Sequence, residues 1–258
     1  MFVRSCRALV LLIAALGWLT GCTTAPITGR KQVNFVSAST ETQLGVESFA
    51  EVKRQHKISQ DPAANAMVQR VGRRIAAASK LQADWEFIVI DEPVVNAFAL
   101  PGGKVAVYKG ILAVAQNDAG LATVLGHEVG HVMAHHAGER ISRSTLIEAG
   151  TEALAAGVSS DPGTQQTVGS LLGAGATFGL VLPFSREQEY EADQIGLVLM
   201  ARAGSDPRQA IGFWQRMQAK AGAGQPPEFF SDHPSDANRI ARLQSLMPAA
   251  LKEYHPAP

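Results

Sequence analysis

Cysteine is nearly absent: 258 residues contain two, Cys6 and Cys22. From Thr23 onward the chain has no thiol, so no disulfide can brace it and an apolar core must, for which about 235 residues suffice. Charge of either sign is not in excess, with 23 Lys+Arg against 23 Asp+Glu and only 18% charged residues. No block of basic residues stands out, which argues against nucleic acid as a partner. Long apolar runs are missing too. Ala8 to Leu19 is too short for a comfortable membrane span. The charge-free run Val168 to Phe184 carries Gly169, Gly173, Gly175 and Gly179, which weaken a lone helix. Closely packed buried helices, or a mobile lid over a site, fit that run better than a membrane hairpin. No internal repeat and no second domain is evident, and 46% hydrophobic residues is ordinary for a globular protein.

What the chain does have is Leu125-Gly126-His127-Glu128-Val129-Gly130-His131, an H-E-x-x-H in a segment of helical character from Ala119 to Gly138, with Asp118 as its expected N-cap. On a helix the two histidines stand about 40° apart in azimuth and about 6 Å apart in rise. Their imidazoles can converge on one ion, which suits tetrahedral Zn²⁺ with one position left open for water. Glu128 flanks the same face and can reach that water as general base. His135 and His136 follow. His135 continues the same face but lies about 12 Å along the axis from His127, too far to share its ion. Ala134 and Ala137 occupy the Gly and His places of the elongated zinc motif and exclude it. These two later histidines read as surface groups or as supports for a ligand.

The rest of the chain reads as helices around a small sheet. Ser39 or Thr40 caps a helix to about Lys57, with Leu44, Phe49 and Val52 apolar. Asp61-Pro62 starts another to about Ser79, with Met67, Val68, Val71 and Ile75 facing the core and Arg70, Arg73 and Arg74 on a solvated face. Trp85 to Ile90 has strand character, and the segments Asn96 to Leu100 and Lys104 to Tyr108 flank Pro101-Gly102-Gly103 as a hairpin. Such a hairpin can set an edge strand, including Asn96, Ala97, Phe98 and Ala99, beside the metal helix, where it would hold an extended peptide by backbone hydrogen bonds. Ser185 opens a helix carrying Glu187, Glu189, Glu191 and Asp193, any of whose glutamates can supply the third ligand. Glu189 points about 160° away from Glu187 and Glu191. Its face continues through the small residues Ala192 and Gly196, which would let this helix approach Gly126 and Gly130 closely. Asp193 on that face can accept a ring N–H from a ligand histidine. Glu189 is the expected ligand and Glu191 the main alternative. Later helices start at Asp206-Pro207 and after Ser231-Asp232-His233-Pro234, the last one carrying Arg239. The expectation is a mainly helical α+β fold with the site between sheet edge and metal helix.

Met1 to Gly21 does not belong to that fold. Arg4 and Arg7 form a positive n-region, Ala8 to Leu19 an apolar h-region, and Leu19-Thr20-Gly21-Cys22 resembles the lipobox of bacterial lipoproteins. The resemblance implies a signal over residues 1–21, a lipidated Cys22 followed by a tether over 22–37, and one peptidase domain over 38–258. Thr23 after the cysteine resembles lipoproteins of the outer membrane, so the expected location is there, lipid-anchored and facing the periplasm, with a membrane partner reached through acyl chains. Loss of Arg4 and Arg7 takes Lys+Arg from 23 to 21 against 23 Asp+Glu, a formal charge of −2.

Taken together, His127-Glu128-x-x-His131, Ser185-Arg186-x-x-Glu189-Tyr190-x-Ala192-Asp193 and His233-Pro234 with Arg239 resemble the HtpX/BepA/LoiP group of gluzincin metallopeptidases, related to the CAAX prenyl proteases. The resemblance implies a zincin-like fold and a zinc-dependent endopeptidase. It assigns His127, His131 and Glu189 as ligands, Glu128 as base, and His233 and Arg239 near the substrate carbonyl, where donors can stabilise an oxyanion. The alternative for those two is that His233 caps the last helix and Arg239 makes a surface ion pair. The substrates implied are polypeptides, in particular unfolded or misassembled outer-membrane proteins. A reading from another class, a catalytically idle lipid-anchored module that grips such proteins, has no chemical use for Glu128.

Overall fold

The structure is a computed structural model that describes residues 22–158, 184–222, 227–234 and 238–256. The expected signal segment and all of the 168–184 run except Phe184 lie outside these residues. In chain order the elements are β1 (Cys22–Thr24), β2 (Lys31–Val33), α1 (Ala38–Gln55), α2 (Pro62–Ser79), β3 (Glu86–Ile90), β4 (Ala97–Leu100), β5 (Lys104–Tyr108) and α3 (Lys109–Ala115). They continue with α4 (Asp118–Met133), α5 (His136–Val158), α6 (Arg186–Arg202), α7 (Gln209–Gly222), the short α8 (Phe229–Asp232) and α9 (Arg239–Lys252). This is the α+β class the sequence indicated. Among the described residues no helix is long and apolar enough to cross a membrane.

The contacts divide the chain into two units. The first joins the N-terminal stretch to α5 from Gly138 on. Thr23 to Val36, which reads in sequence as a tether, is ordered instead as a hairpin, β1 pairing antiparallel with β2. Its turn places Ile27 at φ 68° and Gly29 at φ 72°. The hairpin is held by polar groups rather than by apolar area. Arg30 donates to both carboxylate oxygens of the buried Glu139, at 3.0 and 2.8 Å, and the Phe35 N–H donates to Ser142 Oγ at 3.0 Å. A mostly polar composition hid this segment from a reading based on hydrophobic pattern.

The second unit spans 38–137 and the described residues from Phe184 on. Its sheet has the order β3-β5-β4, with β3 parallel to β5 and β4 antiparallel to it, so β4 is an edge strand. The first strand therefore pairs with the far strand of the hairpin, an arrangement that local sequence does not specify. Phe49, Ile88, Ile90, Ala106 and Tyr108 pack as one cluster between α1 and this sheet. Leu44, expected in that core, is 44% exposed. The inward face of α1 is Glu41, Gly45 and Phe49, and Gly45 is required because a Cβ there would meet the Pro101 carbonyl. On α2, Asp61 caps Ala63 and Ala64, and Val68, Val71 and Ile75 are buried. Its arginines are less idle than expected: Arg70 pairs with Asp118, and Arg74 donates to the Ala203 carbonyl.

Four features of α4 and α6 position the site. Asn117, not Asp118, caps α4, its side chain accepting from Gly120 N–H. The helix ends at Met133 rather than near Gly138, because His135 takes a left-handed φ of 54° and α5 begins anew at His136. His135 thus leaves the ligand face and bonds Glu41 at 2.7 Å. Across from α4, Ser185 and Gln188 close a capping box that starts α6. The two helices touch through small residues, where a Cβ on Gly126 would stand 2.9 Å from the Gly196 carbonyl and one on Gly130 2.9 Å from the Ala192 carbonyl.

Candidate metal centre

The close crossing of α4 and α6 puts one turn of each face to face. His127 Nε2 lies 3.0 Å from His131 Nε2 and 3.4 Å from Glu189 Oε2, and His131 Nε2 lies 3.3 Å from Glu189 Oε1. His233, just past α8, points its Nδ1 into the same group, 3.2 Å from His127 Nε2 and 2.9 Å from Glu189 Oε1. The donor atoms of all four residues lie within 4.8 Å of one another. Each of these side chains is buried to 3% exposure or less.

This donor set fits a cation. Ligands about 2.0–2.1 Å from a tetrahedral zinc stand about 3.3–3.4 Å apart, close to the separations just given. Glu189 Oε2 is buried without a hydrogen-bond partner, which a protein rarely tolerates for a carboxylate oxygen. His127 has Nδ1 on Asp193 Oδ1 at 3.0 Å, so its Nε2 is free to offer a lone pair to the cluster. Imidazole and carboxylate donors of this kind suit a divalent transition metal, zinc included.

Without a cation the site's own charges act on one another. Burial depresses the His127 imidazole, but the charge of Glu189 and hydrogen bonds to Asp193 and Glu189 outweigh it and raise the pKa to about 9. Burial lowers His131 well below the usual histidine value. For Glu189 burial opposes the charge, yet His127 and His233 hold its carboxyl well below the usual range. Burial pushes Glu128 up, with His233 and His127 pulling it back.

Glu128 stands between this cluster and the edge strand. Its Oε2 accepts from the Ala99 N–H at 3.2 Å, while Oε1 is 3.5 Å from His233 Nε2 and has no hydrogen-bond partner. The edge is oriented by Tyr108 N–H, which donates to the Asn96 carbonyl. By antiparallel alternation Phe98 then faces β5, and the backbone groups of Ala97 and Ala99 face the open side. Ala97 N–H is taken by the Asn96 side chain at 2.8 Å.

Arg239 is buried against the donor cluster. Its Nη2 donates to Asp193 Oδ1 at 2.7 Å on the Nδ1 side of His127, and its guanidinium lies 3.4 Å over the Trp214 ring. Burying such a cation costs several kcal/mol unless it is paired, and Asp193 with Glu189 supplies the pairing. The alternative of a surface ion pair fails, because Arg239 is buried. Cys22 lies in the first unit, outside this cluster.

Sequence reasoning missed several neighbours. Phe229 stacks on His233 at 4.3 Å, and Phe184 lies 4.0 Å from the His131 ring. Glu191, the alternative ligand, is turned to His136 at 3.0 Å, and His136 in turn meets His131 at 2.7 Å. The signal for this pair was present only as charge and ring at the ends of two helices whose break and crossing angle the sequence does not state.

Residues 62–247 match peptidase family M48. The chain belongs to this metallopeptidase family. It is 38% identical over 230 residues to the mitochondrial metalloendopeptidase OMA1 of Schizosaccharomyces pombe, covering 87% of this chain and 66% of the relative. With the human mitochondrial metalloendopeptidase OMA1 it shares 31% over 258 residues, covering 93% of this chain and 49% of the relative. The beta-barrel assembly-enhancing protease of Escherichia coli is 27% identical over 226 residues, covering 84% and 46%. The chain therefore spans about half to two thirds of the length of these relatives. These similarities overturn the expected outer-membrane location: the relatives of higher identity are named as mitochondrial proteins. Nor does the lipoprotein part of the earlier resemblance have a counterpart in these names.

Proposed function

We propose that this M48 chain is a zinc-dependent metalloendopeptidase, with His127, His131 and Glu189 as ligands and Glu128 as general base. The observation that carries the reading is the convergence of buried donors within 4.8 Å beside a carboxylate oxygen, Glu128 Oε1, that nothing satisfies. Zinc, when bound, supplies Lewis acidity that polarises a peptide carbonyl. Glu128 takes the proton of the attacking water and passes it to the leaving amine. β4, as the edge strand, would straighten the substrate by strand addition once the Ala97 and Ala99 N–H groups exchange their present acceptors, the Asn96 and Glu128 side chains. Asp193, steadied by Arg239 and Trp214, fixes the His127 tautomer. His233 has its Nε2 toward Glu128 and its Nδ1 among the donor atoms, so its imidazole is a further group able to contact the metal or the reacting carbonyl.

The substrates we favour are extended segments of unfolded or misassembled membrane proteins. The edge position of β4 supports that choice, as does the similarity to the beta-barrel assembly-enhancing protease of Escherichia coli. The test is digestion of casein and of an unfolded membrane protein by the full chain, with chelator and with zinc restored. Chelator-sensitive cleavage that zinc restores is expected, and cleavage indifferent to chelator would remove the reading.

A further inference from the structure

Two buried side chains beside the site are not used by the mechanism above: His136, at the first position of α5, and Glu191 on α6. His136 is 0% and Glu191 4% exposed. We infer that His136 and Glu191 are a positioning couple for His131, a ring-and-carboxylate chain that fixes which nitrogen of that ligand faces the metal. The inference rests on the metal-centre reading and extends it to residues with no assigned part.

Proton placement carries the argument. His131 directs Nε2 at the donor cluster, so its ring proton must reside on Nδ1. That Nδ1 is 2.7 Å from His136 Nδ1, which must therefore accept. The proton of His136 then resides on its Nε2, 3.0 Å from Glu191 Oε2, which accepts. Every proton along the chain has one place, and reversing any bond would turn His131 into the wrong tautomer. Phe184, with its ring centroid 4.0 Å from that of His131, leaves that ring little freedom to compensate.

The two ligand histidines are thus supported unequally. His127 bonds its carboxylate, Asp193, directly, whereas His131 reaches Glu191 through an intervening imidazole. One helix, α6, carries Glu189, Glu191 and Asp193, so ligand and both terminal carboxylates move as one body. The break at His135 now has a use. Its left-handed backbone ends α4 and swings His136 back over the His131 ring, which an uninterrupted helix would not do because residues five apart point about 140° apart.

The experiment measures zinc affinity of the full chain by competition with a chromophoric chelator, with metal-free thermal unfolding as a fold control. His136→Leu should weaken binding by about 10–100-fold, the usual effect of removing such a support. His136→Gln, whose carbonyl oxygen can accept from the His131 Nδ1–H, should recover most of that loss. Glu191→Gln keeps the shape, removes the charge and should bind between the two. His135→Gln, next in sequence but bonded to Glu41, should bind like wild type. A folded His136→Leu with wild-type affinity overturns the inference, as does a loss that Gln fails to rescue. Should His136→Leu not fold, unchanged affinity in Glu191→Gln overturns it equally. A wild-type chain that takes up no zinc would instead overturn the metal-centre reading, and this inference with it.

Discussion

The backbone N–H of Ala99 donates to Glu128 Oε2 at 3.2 Å, so the edge strand and the proposed general base are joined by one hydrogen bond. Because Ala99 faces away from β5, this N–H is not part of the sheet ladder. Ala99→Pro would remove the donor while leaving the strand's pairing intact, as proline is tolerated on such an edge. A hydrogen bond to a charged group contributes about 1.5–3 kcal/mol, so kcat/KM should fall by about 10–100-fold with zinc content unchanged. Unchanged kinetics on a peptide substrate would show that the contact has no part in catalysis.

Glu128→Gln separates chemistry from metal binding. Glu128 lies outside the donor cluster, so the variant should keep its fold and its zinc. Proteolysis should drop by at least about 10²–10⁴-fold, the contribution of a general base. Turnover measured beside metal content decides it, and full activity would remove Glu128 from its role.

His127 gives the site a pH signature. Burial depresses its pKa, but the charge of Glu189 and the bond to Asp193 outweigh this and raise it from 6.5 to about 9 in the metal-free protein. Stability from that pairing is fully present below about 6.5 and is lost as pH rises through about 9. Zinc must displace the same proton, so its affinity should climb with pH up to about 9, with about one proton released per ion at pH 7. Calorimetry in two buffers of different ionisation enthalpy measures that release. No proton release would contradict the pairing.

The helix crossing makes an unusual prediction for glycine. In a solvated helix Gly→Ala gains up to about 1 kcal/mol. On Gly196, however, a Cβ would stand 2.9 Å from the His127 backbone nitrogen. Gly196→Ala should therefore destabilise the metal-free chain, by about 1–3 kcal/mol as for overpacking elsewhere. Urea unfolding reads the sign directly.

Much of this site was legible because it is written in helical spacing. His127, Glu128 and His131 share a face by period alone, and the small residues at 126, 130, 192 and 196 announce where α6 comes near. The same azimuth rule separates Glu189 from Glu191, and the structure turns them to different partners. Four things were not legible. The break at His135 has no glycine to mark it, so the metal helix reads on to Gly138 and His136 could not be placed. The parallel pairing of β3 with β5 is a matter of tertiary context. The burial of Arg239 against Asp193 and over the Trp214 ring has no sign in the sequence. The polar hairpin of β1 and β2 lacks the alternation that marks a strand, and Arg30 with Glu139 does the holding instead.

The central claim is that one zinc sits among His127, His131 and Glu189. Metal analysis of folded, full-length Glu189→Ala beside wild type tests it most directly, because Glu189 is the one ligand outside the H-E-x-x-H helix and Glu191 lies two residues away as an internal comparison. The account predicts about one zinc per wild-type chain and essentially none in Glu189→Ala, with Glu191→Ala still loading at saturating zinc. Stoichiometric zinc in Glu189→Ala, or its loss in Glu191→Ala alone, would contradict the account.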